Sequence, residues 1–254
     1  MLVTRVIPCL LLKDGGLVKT VKFKNPSYIG DPINTVRIFN ELEVDELIFL
    51  DITSSINKSP IRFDILSEIA NECFMPLTYG GGITNMDDVK KIFTIGIEKV
   101  VINSYAYEDP DFISRIADMS GNQSVIASID VKKNFFGKYE LFSHSATKKQ
   151  SKNLVDWAIE LEKKGAGEIF ITSVDKEGTW SGYDTQLIKQ IADAVSIPVI
   201  ANGGAGSIQH LVQAKKEGNA SALSVGSMVV YQKKDFGVLV NFPETEELHK
   251  ALDI

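Results

Sequence analysis

The sequence predicts an α/β protein, a (βα)8 TIM barrel with a two-fold internal half-barrel duplication. Three observations predict this fold class. Short apolar segments alternate with amphipathic segments, two stretches of sequence resemble each other at a fixed spacing, and the 254-residue length suits one barrel. We therefore expect a single barrel domain over residues 1–254.

The apolar segments have the character of parallel strands. The stretches 46–52, 100–103, 124–130 and 168–174 are rich in β-branched and other apolar residues, without the alternation of a half-exposed strand. Strands that are apolar throughout are typical of a parallel sheet whose two faces are both covered.

The segments between these strands have helical patterns. Residues 63–73, 86–93 and 153–164 are amphipathic, and Gly96 and Gly165 stand where the second and third of these helices would end. The order is strand and then helix, repeated, as a parallel α/β sheet requires.

The chain contains an internal repeat. A segment that starts at Met75, MPLTYGGGITNMDDVKK, resembles one that starts at Ile197, IPVIANGGAGSIQHLVQ. Three equivalent pairs are each 122 residues apart: Pro76 and Pro198, Gly81 and Gly203, Glu46 and Glu168. Two halves of four βα units, joined edge to edge, make a closed barrel without free sheet edges. The alternative, an open doubly wound sheet, lacks the expected GxGxxG fingerprint after the first strand.

The composition excludes several classes of protein. The net charge is −6 and the Lys and Arg residues are spread along the chain, so we predict no nucleic-acid partner. The apolar run from Val6 to Leu12 lies between Arg5 and Lys13, and no small-residue cleavage site follows it, which favours a buried strand over a signal peptide. No later segment reaches the roughly 18 apolar residues of a membrane span. We therefore expect a cytoplasmic protein that does not bind a membrane.

Disulfides, metal sites and cofactors are not predicted. Cys9 and Cys73 form neither a disulfide framework nor a metal-binding spacing, and we expect both in the core. The histidines His144, His210 and His249 lack an HxH or HxxxH spacing.

Two glycine clusters predict anion sites. Gly80–Gly82 and Gly203–Gly204 each follow an apolar strand and precede a helical segment. Glycine lets backbone N–H groups approach an anion, and the helix N-terminus that follows favours negative charge. Any tight turn between a strand and a helix also favours glycine, but two copies related by the repeat indicate two sites across one mouth. A small molecule with a phosphate at each end fits them.

Polar residues end several of the predicted strands. Asp51, Asn103, Asp130 and Asp175 occupy such positions, where barrels of this kind carry their chemistry. Each is also compatible with a helix cap or a loop hydrogen bond. Asp130 is the least compatible with a cap because Val131 and the residues after it continue an extended pattern. We therefore predict Asp130 as a general acid or base whose pKa is raised by burial.

Four charged residues stand immediately before apolar strands, at the opposite end of the predicted barrel. They are Arg5, Glu46, Lys99 and Glu168. Solvated rim charge explains any one of them. Two cations and two anions at matched depths can instead form a closed ring around the barrel axis.

In series, these motifs resemble those of a known family, the cyclase subunit of imidazole glycerol phosphate synthase, called HisF. The similarity covers nearly the whole chain and includes FLDIT (49–53), GGGI (80–83), VINS (101–104), ITSVDKEGTWSGYD (171–184) and NGGAGS (202–207). The resemblance implies a ribulosyl phosphate ligand at the C-terminal face and a class I glutaminase, HisH-like, as the partner. It also implies that the four charged residues form the gate through which ammonia enters the barrel.

The resemblance also assigns the two phosphate sites. One phosphate is expected near Gly82, Asn103 and Ser104, and the other near Gly178, Gly204, Ala205 and Gly226. Lys19, in a mobile first loop, is expected to help close the site. The strand-end residues Asp51 and Asp175 complete the set of substrate-binding candidates.

The sequence departs from the family at a catalytic position. The family uses two aspartates, one ending strand 1 and one ending strand 5, and Asp130 matches the second. Leu11 stands where the first belongs, because aligning Lys13 with Lys132 in the repeat sets Leu11 opposite Asp130. A leucine cannot transfer a proton, and the loss of one such group costs on the order of 10²–10⁴ in rate.

PCLLLKDGG (8–16) and VLVNFP (238–243) resemble a paralogous branch of the family, associated with surface-polysaccharide synthesis. The resemblance implies that the barrel and its glutaminase supply ammonia to an N-acetyl sugar amidotransferase that makes acetamidino groups. Glu177 is a smaller departure, since the family usually has aspartate beside the second phosphate.

Three hypotheses follow. The first is a HisF-like subunit of a glutamine-dependent complex with impaired cyclase chemistry, which passes ammonia onward. The second is an active cyclase, a lyase of histidine biosynthesis. The third is the related sugar-phosphate isomerase barrel, which needs no ammonia and is disfavoured by the four charged residues.

Overall fold

Eight parallel strands close into a barrel in the computed structural model, which describes residues 4–252. Within this range the strands, in chain order, are β1 (Arg5–Lys13), β2 (Gly16–Val21), β3 (Lys24–Gly30), β4 (Leu47–Asp51), β5 (Leu77–Gly80), β6 (Lys99–Ile102), β7 (Val125–Lys133), β8 (Tyr139–Ser143), β9 (Lys148–Lys149), β10 (Glu168–Ser173), β11 (Val199–Asn202) and β12 (Ala222–Val225). The barrel strands follow one another in the order β1, β4, β5, β6, β7, β10, β11 and β12, and β12 pairs with β1 to complete the circle. The predicted fold class is confirmed.

Helices cover the outside of the barrel. Within residues 4–252 they are α1 (Pro32–Glu41), α2 (Ser54–Asn57), α3 (Phe63–Glu72), α4 (Met86–Thr94), α5 (Asp111–Ser120), α6 (Leu154–Lys163), α7 (Thr185–Ala192), α8 (Ile208–Lys216) and α9 (Thr245–Leu252). The helical segments predicted from the sequence are found as α3, α4 and α6. Gly96 and Gly165 lie just beyond the ends of α4 and α6 with φ values of 99° and 97°, as helix-ending glycines do. None of these helices has the length and apolar character needed to cross a membrane.

The structure reproduces the internal repeat in detail. Helices α1 and α6 begin 122 residues apart, and so do α3 and α7, and α4 and α8. Helices α1 and α6 also have the same kind of N-cap, since the side chains of Asp31 and Asn153 each accept a hydrogen bond from a backbone N–H of the helix that follows. The two halves therefore have the same local geometry and not only a similar sequence.

Two antiparallel extensions were not predicted. β2 and β3 form a hairpin on β1, and β8 and β9 continue from β7, so the first strand of each half carries an extension. Polar residues, lysines among them, interrupt both extensions, so they lack the apolar runs by which the barrel strands were recognised. Both extensions rise from the C-terminal ends of their strands and border that mouth of the barrel.

The core has two parts. A large cluster fills the space between the strands and the outer helices. A smaller cluster occupies the inside of the barrel and consists of Ile7, Cys9, Leu11, Val18, Ile48, Val101, Ile126, Phe170, Ile200 and Ala222. The inside of the barrel is therefore an apolar column. Cys9 is buried in it and Cys73 is partly buried outside it, and both are free thiols.

Two glycines of the repeat are fixed by the same packing contact. Gly81 and Gly203 have φ values of 116° and 94°, which disfavour any side chain. A Cβ atom on Gly81 would lie 2.4 Å from the carbonyl oxygen of Asp51, and one on Gly203 would lie 2.7 Å from that of Ser173. Asp51 and Ser173 are again 122 residues apart. In each half, the loop after one strand thus presses against the end of the preceding strand.

This contact predicts a difference between two alanine variants. Gly96 has a similar φ value of 99° but no atom within 4 Å of a Cβ, so Gly96→Ala costs only backbone strain. That strain is about 1–2 kcal/mol, which lowers Tm by roughly 2–8 °C in a chain of this size. We expect Gly203→Ala to lower Tm by about twice as much or more, because overpacking adds to the strain. Equal Tm values for the two variants, measured by thermal unfolding, would contradict the contact.

Candidate functional site

A cavity of about 560 Å³ opens at the C-terminal ends of the barrel strands. This volume suits a small-molecule ligand. The candidate residues that line it are Leu11, Lys19, Asp51, Gly82, Asn103, Ser104, Asp130, Gly178, Gly204, Ala205 and Gly226. The structure thus brings eleven of the twelve residues predicted at this mouth to one cavity.

Asp175 is the exception. It is not among the residues that line the cavity, and its carboxylate accepts a hydrogen bond of 2.8 Å from the backbone N–H of Lys133. Asp175 therefore joins the end of β10 to the end of β7. This is the loop hydrogen bond that the sequence left open as its alternative role.

Asp130 is a buried carboxyl group beside the cavity. It lies on β7 and its Oδ2 accepts a hydrogen bond of 2.9 Å from Nδ2 of Asn103. Burial raises the pKa of Asp130 to about 7, and the hydrogen bond from Asn103 only partly opposes that rise. A carboxyl group with this pKa can both take up and release a proton near neutral pH.

Leu11 occupies the position in the first half that Asp130 occupies in the second. In the strand registers, Leu11 pairs with Leu50 and Asp130 pairs with Thr172, and these two partners are 122 residues apart. The side chain of Leu11 belongs to the apolar column and lines the cavity. The two equivalent positions therefore differ, because Asp130 can transfer a proton and Leu11 cannot.

The first-half end of the cavity contains glycine and hydroxyl groups. Gly82 has a φ value of 71° and packs against Ser54, which begins α2. Ser104 begins a short 3₁₀ turn, and its Oγ accepts a hydrogen bond of 2.9 Å from the backbone N–H of His144. Oδ1 of Asn103, which lines the same cavity, is buried and has no hydrogen-bond partner. This end of the cavity thus holds polar groups with capacity to bind a ligand.

Asp51 lines the cavity but is engaged locally. Its Oδ1 accepts hydrogen bonds from the backbone N–H groups of Thr53 and Ser54 and from the hydroxyl of Thr53, at 2.8 to 2.9 Å. The carboxylate therefore organises the turn that leads into α2.

Lys19 is buried at the second-half end of the cavity. It lies on β2, whereas the sequence placed it in a loop, and its Nζ donates a hydrogen bond of 2.6 Å to the carbonyl oxygen of Cys9. A Cβ atom on Gly226 would lie 3.0 Å from this Nζ, so glycine leaves room for the ammonium group. Burial lowers the pKa of Lys19. The cation is therefore positioned beside Gly226, one of the glycines predicted to hold a phosphate.

Glu177 fixes the β2–β3 hairpin over the mouth, a role that the sequence did not predict. Its carboxylate accepts hydrogen bonds of 3.0 Å from the hydroxyl of Thr20 and from the backbone N–H of Phe23. Its own carbonyl oxygen accepts another, also 3.0 Å, from the backbone N–H of Lys22. Burial raises the pKa of Glu177. Glu177 is thus a tether between the two halves of the mouth.

A closed ring of ion pairs lies at the opposite end of the barrel. The guanidinium of Arg5 contacts Glu46 at 2.7 Å and Glu168 at 2.6 Å, and Nζ of Lys99 contacts the same two carboxylates at 3.0 and 2.7 Å. The glutamate side chains are 4% and 9% exposed, so the ring is largely shielded from water. Although burial opposes the charged form of Glu168, Arg5 and Lys99 keep its pKa below the usual value. The four residues therefore lie together as alternating charges, and the apolar column separates them from the cavity.

No metal site accompanies these residues. Among residues 4–252, no group of three or more His, Cys, Asp and Glu side chains is placed to hold a metal ion. His144 and Ser145 line the cavity, while His210 and His249 do not.

The raised pKa of Asp130 predicts a pH-dependent stability difference from Asp130→Asn. In the unfolded chain an aspartate loses its proton near pH 4, whereas in the folded protein Asp130 keeps it to about pH 7. The wild type therefore loses stability between these pH values and reaches a plateau above pH 7, while the Asn variant does not titrate at this position. We therefore expect the free energy of unfolding of Asp130→Asn, relative to that of the wild type, to rise by about 2–3 kcal/mol from pH 5 to pH 8. Unfolding measured at both pH values tests this, and a constant difference would contradict a buried, protonated Asp130.

Comparisons with known proteins agree with these features. Residues 5–235 match the model of a family described as "Histidine biosynthesis protein". A Pseudomonas aeruginosa protein, provisionally named as imidazole glycerol phosphate synthase subunit hisF2, is 50% identical over 96% of this chain and 97% of its own length. A Leptospira interrogans protein with a provisional HisF name is 44% identical over 97% and 98% of the two chains. The imidazole glycerol phosphate synthase subunit HisF of Alkaliphilus metalliredigens is 40% identical over 100% and 98%.

Proposed function

The chain belongs to the HisF family of histidine biosynthesis proteins, and on that premise we propose that it conducts ammonia from a glutaminase to a separate acceptor enzyme. As a HisF-like subunit, it pairs with a class I glutaminase at its N-terminal face. The observation that carries this proposal is the connection of a closed ring of ion pairs to a ligand cavity by an apolar column.

The column has the physical properties of an ammonia conduit. Its walls are aliphatic and aromatic, and include Ile48, Ile126, Phe170 and Ile200. A neutral ammonia molecule can enter such surroundings, whereas an ammonium ion would lose its hydration without finding a counter-charge. The ring at the base excludes water and ions while it is closed. Movement of Lys99, a flexible side chain that is 17% exposed, opens a path for one small neutral molecule.

Leu11 supports onward delivery of the ammonia rather than its use in the barrel. A cyclase that divides the acid and base roles between two carboxylates needs both of them. This chain has only Asp130 of the expected pair. The ring and the column are retained in full, so the conduit is kept where the cyclase chemistry is impaired. We propose an N-acetyl sugar amidotransferase that forms acetamidino groups as the acceptor, as the likeness to the polysaccharide-associated branch implies.

The cavity suits a phosphorylated small molecule. One phosphate would lie near Gly82 and Ser104, where Oδ1 of Asn103 has no partner. The other would lie near Gly178, Gly204 and Gly226, and Gly226 adjoins the buried Lys19. In this function the ligand orders the mouth and signals to the ring that the site is occupied.

An active cyclase of histidine biosynthesis is the second candidate. Its support is the protonation behaviour of Asp130, whose pKa of about 7 suits acid–base catalysis by one residue. The isomerase barrel is disfavoured, because it has no use for a ring of ion pairs at the base of an apolar column.

A Leu11→Asp variant separates these two candidates. The assay uses ammonium salts and the ribulosyl aminoimidazole carboxamide substrate of the cyclase. We expect the wild type to turn over about 10²- to 10⁴-fold more slowly than Leu11→Asp, because the variant restores the second proton-transfer group. Leu11→Asn is the matched control, because it adds polarity at the same size without a titrating group. Wild-type turnover close to that of Leu11→Asp would favour the active cyclase.

Association with a glutaminase tests the shared premise. When mixed with a purified class I glutaminase of the same genome, the chain should co-elute with it and raise its rate of glutamine hydrolysis. The glutaminase alone is the control. A pair that neither associates nor shows stimulated hydrolysis would exclude the proposed complex.

A further inference from the structure

Two phenylalanines project from the mouth of the barrel into solvent. Phe135 is 97% exposed and Phe136 is 84% exposed, and their rings meet edge to face with centroids 5.5 Å apart. They form the tip of the β7–β8 hairpin, residues 131–143, which we call the aromatic hairpin. Adjacent exposed aromatic side chains are typical of an interaction surface, whereas single exposed apolar residues are common on any protein surface.

The tip has a defined shape before any partner binds. Oδ1 of Asn134 accepts hydrogen bonds from the backbone N–H groups of Phe136 and Lys138 at 2.9 and 3.0 Å. At the base, Nζ of Lys133 contacts the carboxylate of Asp184 at 2.8 Å, which ties the hairpin to the loop before α7. An ordered tip loses little conformational entropy on binding, so its exposed rings are prepared for a complementary pocket.

The aromatic hairpin is rooted in the wall of the ligand cavity. β7 carries Asp130 at the mouth and continues outward for three more residues to Lys133, roughly 10 Å of extended strand, before the turn that holds Phe135. The chain returns along β8 to His144 and Ser145, which line the cavity. Any protein that covers this mouth therefore meets the two phenylalanines.

The surroundings of the tip are basic, although the chain as a whole is acidic. Residues 131–152 contain six lysines and a single acidic residue, which gives +5, so the rest of a chain with net charge −6 carries −11. Three of the six lysines form ion pairs, Lys133 with Asp184, Lys149 with Glu140 and Lys152 with Glu160, so the charge offered to a partner comes mainly from the exposed Lys138 and Lys148. The complementary partner surface is an apolar pocket bordered by carboxylates.

We propose that the aromatic hairpin is the docking site for the enzyme that receives ammonia from the mouth, with Phe135 and Phe136 inserted into an apolar pocket on that enzyme. This inference rests on the proposed function, since it needs ammonia to leave at this end. Ammonia released into open solvent is diluted and protonated, so the receiving active site has to cover the mouth. A membrane would cover the mouth without consuming ammonia, which favours a protein as the occupant.

The test measures binding of the full-length chain to the purified N-acetyl sugar amidotransferase by biolayer interferometry. We expect Phe135→Ser combined with Phe136→Ser to weaken binding by about 30-fold or more, the loss typical of two central aromatic contacts. A second variant, Lys138→Glu with Lys148→Glu, should weaken it by about tenfold at low salt and less at high salt. The matched control is Phe74→Ser, which removes an 87% exposed phenylalanine from the opposite face and should leave binding unchanged.

Three results would overturn the docking site. They are undetectable amidotransferase binding by the wild type, binding that the two hairpin variants retain, and sedimentation with phosphatidylglycerol vesicles that requires the phenylalanines while the amidotransferase does not bind. Stimulation of the glutaminase by the wild-type chain is measured in parallel. If stimulation persists while docking fails, only the docking site is wrong, whereas a loss of stimulation removes the proposed function itself.

Discussion

Parallel pairing of neighbouring barrel strands fixes both ends of the barrel, and the functional geometry depends on it, as β7 and β10, the first two barrel strands of the second half, illustrate. The register runs from Glu168 opposite Ile126 to Ser173 opposite Val131. One end of this pairing places Glu168 in the ring of ion pairs, and the other end places Asp130 beside the cavity. Because all eight barrel strands are parallel, each strand contributes its first residues to the ring end and its last residues to the mouth. The apolar column between the two ends is a consequence of closing such strands around one axis.

The repeat supplies a symmetric scaffold on which the chemistry is asymmetric. Helix starts, glycine contacts and strand registers recur at 122 residues, but Leu11 and Asp130 differ at equivalent positions. A leucine costs the scaffold nothing, since it extends the apolar column up to the mouth. The fold of the barrel therefore does not require a carboxylate at position 11.

The sequence predicted the barrel strands, three helices and the residues of both ends, because these features depend on local apolar patterns and on the repeat. It did not predict the hairpins at the mouth, whose strands are interrupted by polar residues and pair with β1 and β7. The placement of Lys19 on a strand and the contacts of Glu177 were missed for a related reason, since they depend on contacts across about 10 to 160 residues of chain. Asp175 was assigned to the cavity from its place at a strand end, but its carboxylate instead accepts a hydrogen bond from the backbone N–H of Lys133. Patterns in sequence thus identify which residues meet at an end of the barrel better than they identify what each one contacts.

The central claim, that ammonia passes through the barrel, is tested most directly by an isotope competition. Amide-¹⁵N glutamine is supplied to the complex of glutaminase, barrel and sugar amidotransferase in the presence of excess unlabelled ammonium, and the ¹⁵N content of the acetamidino product is measured by mass spectrometry. The account predicts that the product keeps the glutamine label with the wild-type barrel and loses it to the bulk pool with a Lys99→Ala barrel, whose ring is broken. A wild-type product with the isotope ratio of the bulk ammonium would contradict passage through the barrel.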